Sequence, residues 1–309
     1  MKVSSKLPAA FSGASLLEYL STRFNYLPEK TWLQLITEGR ILCNGASCYG
    51  ATIVAQGDNI QCDLPDFDQP VVNLAYSIVY QDEWLLGINK PAGLRVHSRG
   101  KFVNANLIYQ LRHVHQPPFP ETNLVHRLDA DTSGLVLLAR DKDVLADLVR
   151  QFADGRVIKS YLAVVEGHLT PAEGSIDLPI GPVADARIPR FGVDRLKGKA
   201  ALTHYKTLRR LSAHYSLVEL QPETGRTHQL RVHLAAIGHP IAGDALYTMN
   251  DDEYLDYRHN PPLQGSLNRQ ALHSHQLQFL HPIHQTRCTL SAPLSGDIEG
   301  FIQQVSEPD

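Results

Sequence analysis

The sequence has no excess of basic charge. Its 29 Lys and Arg face 32 Asp and Glu, a net charge of −3. No overall positive field therefore marks a nucleic-acid partner, and any such surface must be a local patch. No Cys-x-x-Cys pair occurs among Cys43, Cys48, Cys62 and Cys288, so neither a zinc site nor a redox motif is expected. Free buried thiols suit a reducing compartment. A basic-then-apolar signal pattern is missing from the N-terminus, and no apolar run approaches the ~20 residues of a membrane span. The expectation is a cytoplasmic monomer with no membrane partner. Regular alternation of strand and helix patterns is also missing, which argues against a doubly wound sheet and for an α+β fold. What is present is ordinary for a globular protein: 43% hydrophobic and 20% charged residues. A chain of 309 residues has room for about two domains.

One stretch organises the chain: Val125-His126-Arg127-Leu128-Asp129-Ala130-Asp131-Thr132-Ser133-Gly134, then the apolar run Leu135 to Ala139, then Arg140. The run reads as a buried strand, although periodicity alone also admits a buried helix segment. Asp129 then falls in a turn just ahead of a buried element, flanked by Arg127 and Arg140. A nearby cation keeps a carboxylate ionised, and an ionised, positioned Asp can act as a nucleophile. A turn Asp can also simply bond to its own backbone.

The wording of that stretch, His-Arg-Leu-Asp, two residues, Thr-Ser-Gly and an apolar run, resembles the catalytic motif of the RluA-type pseudouridine synthases. The resemblance implies a mixed, mainly antiparallel sheet with flanking helices and a central cleft. It implies that Asp129 is the catalytic nucleophile, with His126, Arg127 and Thr132 beside the substrate. Further motifs follow in order. Asn89-Lys90-Pro91-Ala92-Gly93-Leu94 with His97 resembles the first family motif and makes Lys90 a substrate contact. Lys159-x-Tyr161-x-Ala163 followed by Gly167 resembles the motif whose Tyr lines the active site. Gly225-Arg226-Thr227-His228-Gln229-Leu230-Arg231-Val232-His233 is similar to the motif whose second Arg, here Arg231, pairs with the catalytic Asp, and it places Arg226 on the substrate. Arg269-x-x-Leu272-His273 and His281-Pro282 match the closing segment. The resemblance spans about 75–295.

Ahead of it, Ser15 to Glu38 reads as two short helices, with Pro28 at the start of the second and Gly39 at its end. Arg40 to Cys43 reads as a strand running into a tight Asn44-Gly45 turn. Thr52 to Val54 and Asn59 to Cys62 read as further strands. Residues 14–62 resemble the small RNA-binding module of ribosomal protein S4. Residues 1–13 read as a loose leader and 65–70 as an acidic, proline-bounded linker. That gives an S4-type module over 1–64 and a catalytic domain over 65–309. Within 1–64, Lys2, Lys6, Arg23, Lys30 and Arg40 are matched by Glu18, Glu29, Glu38, Asp58 and Asp63. Phosphate neutralisation supplies most non-specific binding, so strong independent RNA affinity does not follow from this segment. Arg187, Arg190, Arg195, Lys197 and Lys199 against Asp185 and Asp194 form a local basic patch suited to phosphates.

Elsewhere, Asn104 to Val114 is expected as a helix, Asp141 as the cap of another, and Val157 to Val165 as a β-branched strand. Thr224 or Thr227 would cap a helix whose Leu230, Leu234 and Ile237 face the core. Residues 248–270 read as a polar insertion of no assigned role. His228, His233 and His239 lack the paired spacing of a metal site.

Uridine-to-pseudouridine conversion breaks a base–sugar C–N bond, rotates the uracil and makes a C–C bond through C5. No atoms or electrons are gained, so no cofactor is implied. The reaction needs a nucleophile, a base for the C5 proton and a pocket that keeps the detached uracil. Under this reading Asp129 is the nucleophile, at C1′ or at the ring, or instead promotes a glycal route. Tyr161 stacks on the base or takes part in proton removal, and Arg127 fills the gap left by the extruded nucleotide. The implied partner is ribosomal or transfer RNA, with a uridine that leaves its stack cheaply. Two alternatives stand beside this. One is an RNA-binding or ribosome-assembly factor with a disused site, against which Asp129, Tyr161 and Arg231 argue as an intact set. The other is an aspartyl-phosphate hydrolase, a competitor that Asp129-x-Asp131-Thr132 invites because those enzymes use Asp-x-Asp-x-Thr. That chemistry needs Mg²⁺ and a hydrophobic strand directly before the first Asp, where this chain has His126, Arg127 and Leu128.

Overall fold

A computed structural model describes residues 2–24, 26–64, 71–98, 102–184, 186–260 and 267–306. The chain forms two compact units: residues 1–71 with 98–105, and 72–97 with 106–309. The expected linker 65–70 lies outside the described residues, as does Asp185 of the basic patch.

In the first unit, β1 (Lys2–Lys6) precedes α1 (Leu16–Arg23), α2 (Glu29–Thr37), β2 (Ile41–Cys43), β3 (Ala46–Ser47) and β4 (Asn59–Asp63). The strands form one sheet in the order β1-β4-β2-β3. Ser15 accepts from Glu18 N–H and caps α1. Asn44 and Gly45, at φ 52° and 81°, make the tight turn that the hairpin twist favours. Trp32, Tyr19, Leu16 and Leu20 are fully buried between helices and sheet. Two expectations fail here. Residues 2–6 are not a loose leader, because they pair with β4 along its length. Thr52 to Val54 is not a strand. Its carbonyls are taken by the approach to α1: Leu16 N–H donates to Thr52 O and Gly13 N–H to Val54 O, both at 2.8 Å.

The second unit begins with the hairpin β5 (Ser77–Gln81) and β6 (Leu85–Lys90). Then come α3 (Leu107–Tyr109), which runs on into a π-helical turn to Val114, β7 (Asn123–Leu124), β8 (Ser133–Ala139), α4 (Lys142–Ala153) and β9 (Ile158–Glu166). The strands β10 (Glu173–Asp177), β11 (Ile180–Pro182), β12 (Phe191–Val193), β13 (Leu202–Arg210) and β14 (Tyr215–Pro222) precede α5 (Gln229–Ala236), α6 (Ala245–Thr248) and α7 (Asp251–His259). Finally come β15 (Leu272–Leu280), β16 (Arg287–Ser291) and α8 (Gly296–Val305). The main sheet runs β10-β13-β14-β9-β15-β8-β6-β5, with β16 beside β15 and β7 beside β8. Only β8 and β15 pair in parallel; every other described pairing in it is antiparallel.

The sheet centre explains the apolar run. Every residue of β8 is buried, as expected of a strand covered on both faces. Leu135 and Leu137 face the cluster that α4 packs on, while Val136 and Leu138 face the cluster beneath α3. Gly134 sits at φ 106° with Ser274 of β15 across from it. A Cβ there would lie 2.2 Å from the Ser274 carbonyl oxygen, so the backbones could not approach. Asp141 caps α4 by accepting from Asp143 and Val144 N–H.

Some local expectations need correcting. The helix expected from Asn104 starts at Leu107, because Asn106 caps it, its side chain accepting from Tyr109 N–H. Neither Thr224 nor Thr227 caps α5. His228 takes that position in the left-handed region, at φ 57°, and Thr224 Oγ1 instead donates to Gln229 Oε1. Ile237 ends α5 and stays partly exposed, whereas Leu230 and Leu234 are buried as expected. The insertion after residue 248 begins with α7, closed by an Asn250–Glu253 capping box; residues 261–266 lie outside the described residues.

Candidate active site

Three elements of the second unit converge on a cleft of about 1070 Å³: the turn before β8, the middle of β9 and the start of α5. Asp129, Tyr161 and Arg231 all line it. The turn carrying Asp129 is held from both sides by buried cations. Lys90 Nζ donates to Pro91 O at 2.8 Å and to Ala130 O at 2.9 Å. Arg269 Nη1 donates to Asp131 O at 3.1 Å, while its Nε and Nη2 bind Asp297. The carboxylate position is thus fixed by backbone that cannot drift, which is what a reacting group requires.

Lys90 is a correction to its expected role. It is completely buried beneath the turn, so it props the turn and does not line the cleft. Burial pushes its ammonium down to about 7, although Asp131 works against that.

Arg231 lies at the centre of the charge arrangement. Its Nε and Nη2 donate to the two carboxylate oxygens of Asp244, each at 2.7 Å. Its Nη1 reaches Asp129 Oδ2 at 3.4 Å, and its guanidinium lies over the Tyr247 ring. Burial alone would lower the Arg231 pKa, but the bonds to Asp244 more than reverse this and raise it. The Arg231–Asp129 pair expected from the sequence is therefore the longer and weaker of two, and Asp244 is the partner that holds the guanidinium. His228 Nε2 also faces Asp129, at 3.7 Å.

Tyr161 is half-buried and packs against the core clusters on both sides of it. Burial pushes its phenol up to about 12, so it remains protonated at neutral pH. Thr132 is buried and accepts from Gln270 Nε2. His126 lines the cleft, but its Nε2 accepts from Leu137 N–H at 2.9 Å and its ring stacks on Phe152. Burial, with Lys159 nearby, lowers it to about 4, so it stays neutral and stitches the motif to β8. Arg127 and Arg226 are exposed on the rim. Arg140 does not flank Asp129 as expected. It stands at the far end of β8, a strand about 20 Å long, bound to Glu121 at 2.7 Å and to Asp82 O.

The basic patch is partly neutralised within the chain. Arg187 binds Asp252 at 2.5 Å, and Arg190 pairs with Asp251, both acids lying in the first turn of α7. The insertion thus supplies the counter-charge. Arg195, Lys197 and Lys199 stay exposed. His228, His233 and His239 are not gathered: each has its own partners, Tyr247, Thr203 with Leu178 O, and Glu166 O. Among the described residues Asp82, His281 and His284 do lie within metal-ligand spacing. Asp82, however, already accepts from Tyr80, His281, Trp84 and Leu85, and His281 Nδ1 accepts from two backbone N–H groups.

Asp244, His228 and Tyr247 are the site residues that the sequence did not single out. The signals were available: an Asp directly after a turn Gly, and a His one residue before a helical motif. Charge arrangement and cleft together suit an anionic reacting group against a large polar ligand held by exposed cations.

Comparisons with known proteins agree with the motifs. A sequence model described as RNA pseudouridylate synthase matches residues 85–236, which hold Asp129, Tyr161, His228 and Arg231. A Synechocystis protein described as an uncharacterized RNA pseudouridine synthase is 33% identical over 301 residues, covering 94% of this chain and 88% of its own. Ribosomal large subunit pseudouridine synthase D of Xylella fastidiosa is 34% identical, covering 94% and 89%. Among solved structures, human RNA pseudouridylate synthase domain containing 1 superposes with a TM-score of 0.58 at 28% identity, covering 78% of this chain and 100% of that one.

Proposed function

The chain belongs to the RNA pseudouridylate synthase family, and on that premise we propose that it isomerises specific uridines of structured RNA, with Asp129 as the reacting carboxylate. Relatives described as ribosomal large subunit synthases favour ribosomal RNA over transfer RNA as the substrate. One observation carries the assignment of Asp129. It is the carboxylate on the cleft whose turn is braced by Lys90 and Arg269 and which faces the Arg231 guanidinium.

In this reading the uridine is flipped out of its stack into the cleft, at a cost of a few kcal/mol. Arg127 occupies the space it leaves, and Arg226, Lys197 and Lys199 lie against phosphates. Asp129 reacts at the nucleotide while Arg231 offsets its charge. Tyr161, kept as a phenol, stacks on the uracil, and the cleft retains the free base until C5 bonds to C1′. His126, Thr132 and Lys90 shape or brace the pocket around it. The N1–C1′ bond broken is replaced by the C5–C1′ bond formed, and the proton lost from C5 is matched by one gained at N1, so the chemistry balances without a redox partner.

The test is to map pseudouridine in ribosomal and transfer RNA from cells with and without this protein, then to rebuild the reaction with purified chain. The expected result is loss of modification at defined uridines, and conversion in vitro that persists in excess chelator on an RNA that folds without magnesium. Complete, magnesium-restorable loss of turnover on that RNA would instead favour a hydrolase, in which Asp129 and Asp131 would hold a divalent ion that polarises a phosphate.

Residues 1–64 are assigned in the same reading as an S4-type RNA-binding module, 65–309 as the catalytic domain, and the protein as a cytoplasmic monomer. The support for the module is local: two helices followed by a hairpin through Asn44-Gly45. Its matched charges argue for a role in targeting more than in bulk affinity. Deleting 1–64 should weaken or redirect RNA binding yet preserve the chemical step at saturating RNA. Single-turnover rates on the folded truncation measure this, and abolition of the step at saturation would make the module part of the active site.

A further inference from the structure

The cleft holds a second group aimed at Asp129 that none of the assigned roles uses. We propose that His228 is a positioning residue for Asp129, its Nε2–H donating to the carboxylate, with Tyr247 fixing the tautomer that makes this donation possible. The inference rests on the reading of Asp129 as the reacting group.

Geometry carries it. Among the described residues His228 is one of three non-glycine residues in the left-handed region, with Asn44 and Gln285. Such a backbone is uncommon outside glycine, and His is among the types that tolerate it. His228 lines the cleft at the start of α5. Nε2 lies 3.7 Å from Asp129 Oδ2, and Nδ1 lies 2.9 Å from the Tyr247 hydroxyl oxygen. The ring also meets Tyr247 and Phe191 edge-on. Catalytic hydrogen bonds are often long before substrate binds and tighten in the complex.

The proton order follows from Tyr247. Burial raises its pKa, and Arg231 lowers it by less, so the group stays a phenol. The described hydrogen-bond partner of that phenol is His228 Nδ1, and with Nε2 facing the Asp129 carboxylate the ring's own proton belongs on Nε2, so the phenol donates to Nδ1. An imidazole whose Nδ1 accepts carries its proton on Nε2, the nitrogen facing Asp129. The charged groups around the ring are Arg231, Asp129, Asp244 and Arg127, and burial with Arg231 holds the imidazole below its ordinary pKa. A neutral donor in this place orients the carboxylate without quenching its charge. The chain of contacts also reaches the basic hairpin, because Phe191 follows Arg190, which is anchored to Asp251 and to Leu246 O.

Two substitutions separate positioning from backbone strain. His228→Asn suits the left-handed backbone best but its amide cannot reach where Nε2 stood. His228→Gln places an amide N–H near that point, and Gln285 at φ 54° demonstrates that this chain accommodates Gln there. Single-turnover pseudouridine formation at saturating RNA should fall about 30-fold or more in His228→Asn and at least about fivefold less in His228→Gln. If Asn is equal to or faster than Gln, or the two differ by less than about fivefold, the proposal is overturned. A second arm needs no folding-sensitive change at His228. The ¹⁵N shifts of His228 should report Nε2–H in the wild-type chain, with Nδ1 protonation growing in Tyr247→Phe. Nδ1–H in the wild type, or an unchanged tautomer in Tyr247→Phe, overturns it. Absence of turnover in the wild-type protein would count against the function assigned above, while the tautomer measurement would still decide the geometry.

Discussion

Asp129→Asn is expected to lower the chemical step at least about 100-fold, a barrier increase of about 2.7 kcal/mol, while leaving RNA affinity within a few-fold. Asn keeps the size of Asp and favours the same turns. The supports of the turn are also indifferent to the change. Lys90 binds the Ala130 carbonyl and Arg269 the Asp131 carbonyl, not the Asp129 side chain. Arg231 does not become an orphan either, since Asp244 still holds it through two bonds. The substitution therefore removes one charge and one nucleophile from a site that stays assembled. RNA affinity depends mainly on phosphate contacts, which under the proposed function the exposed Arg226, Lys197 and Lys199 supply elsewhere. The paired measurement is the RNA dissociation constant and single-turnover conversion, on protein whose thermal unfolding matches wild type. A rate above about a tenth of wild type, less than about 1.4 kcal/mol, would remove Asp129 from the mechanism.

The parts of this site that could be read in the sequence are those set by local pattern. A polar turn running into five apolar residues placed Asp129 at the mouth of a buried strand, and β8 is that strand. The helix cap at Asp141 and the Asn44-Gly45 turn are equally local. What stayed hidden depends on partners far along the chain. Arg231 lies 102 residues from Asp129 but takes its firmest partner, Asp244, from the segment just after its own helix. Lys90 reads in the sequence as a substrate contact. It is buried because its ammonium reaches carbonyls on both its own turn and that of Asp129. Sequence periodicity cannot report which way such a side chain folds. The same holds for Arg140, adjacent to the motif by sequence and displaced from Asp129 by the length of β8. Residues 2–6 lacked any apolar pattern, and only pairing with β4 makes them a strand.

Asp244→Ala is expected to destabilise the second unit by about 3–5 kcal/mol, because it leaves the Arg231 guanidinium buried without its main counter-charge. The Asp244 side chain is 1% exposed and that of Arg231 9%, so water cannot substitute for the lost carboxylate. For a chain of this size the loss corresponds to roughly 10 °C in Tm. Arg231 would be left to Asp129, now its nearest carboxylate at 3.4 Å. A tight ion pair there would lower the reactivity of Asp129, so the rate should fall even in the fraction that is folded. The two effects can be separated by removing both charges. Replacing Arg231 by Met and Asp244 by Leu together deletes the buried pair and fills its space with apolar atoms, which in other buried pairs is neutral or stabilising. The double variant should recover most of the unfolding free energy lost in Asp244→Ala and yet remain slow in single turnover, because Asp129 has lost its cation. Denaturant unfolding and single-turnover rates on the wild type, Asp244→Ala and the double variant measure both quantities. If the double variant also recovered the rate, Arg231 would be a structural strut of α5 with no part in holding Asp129. If it failed to recover stability, the Arg231–Asp244 pair would contribute packing that Met and Leu cannot reproduce, and the cost of Asp244→Ala would not be that of an unpaired charge.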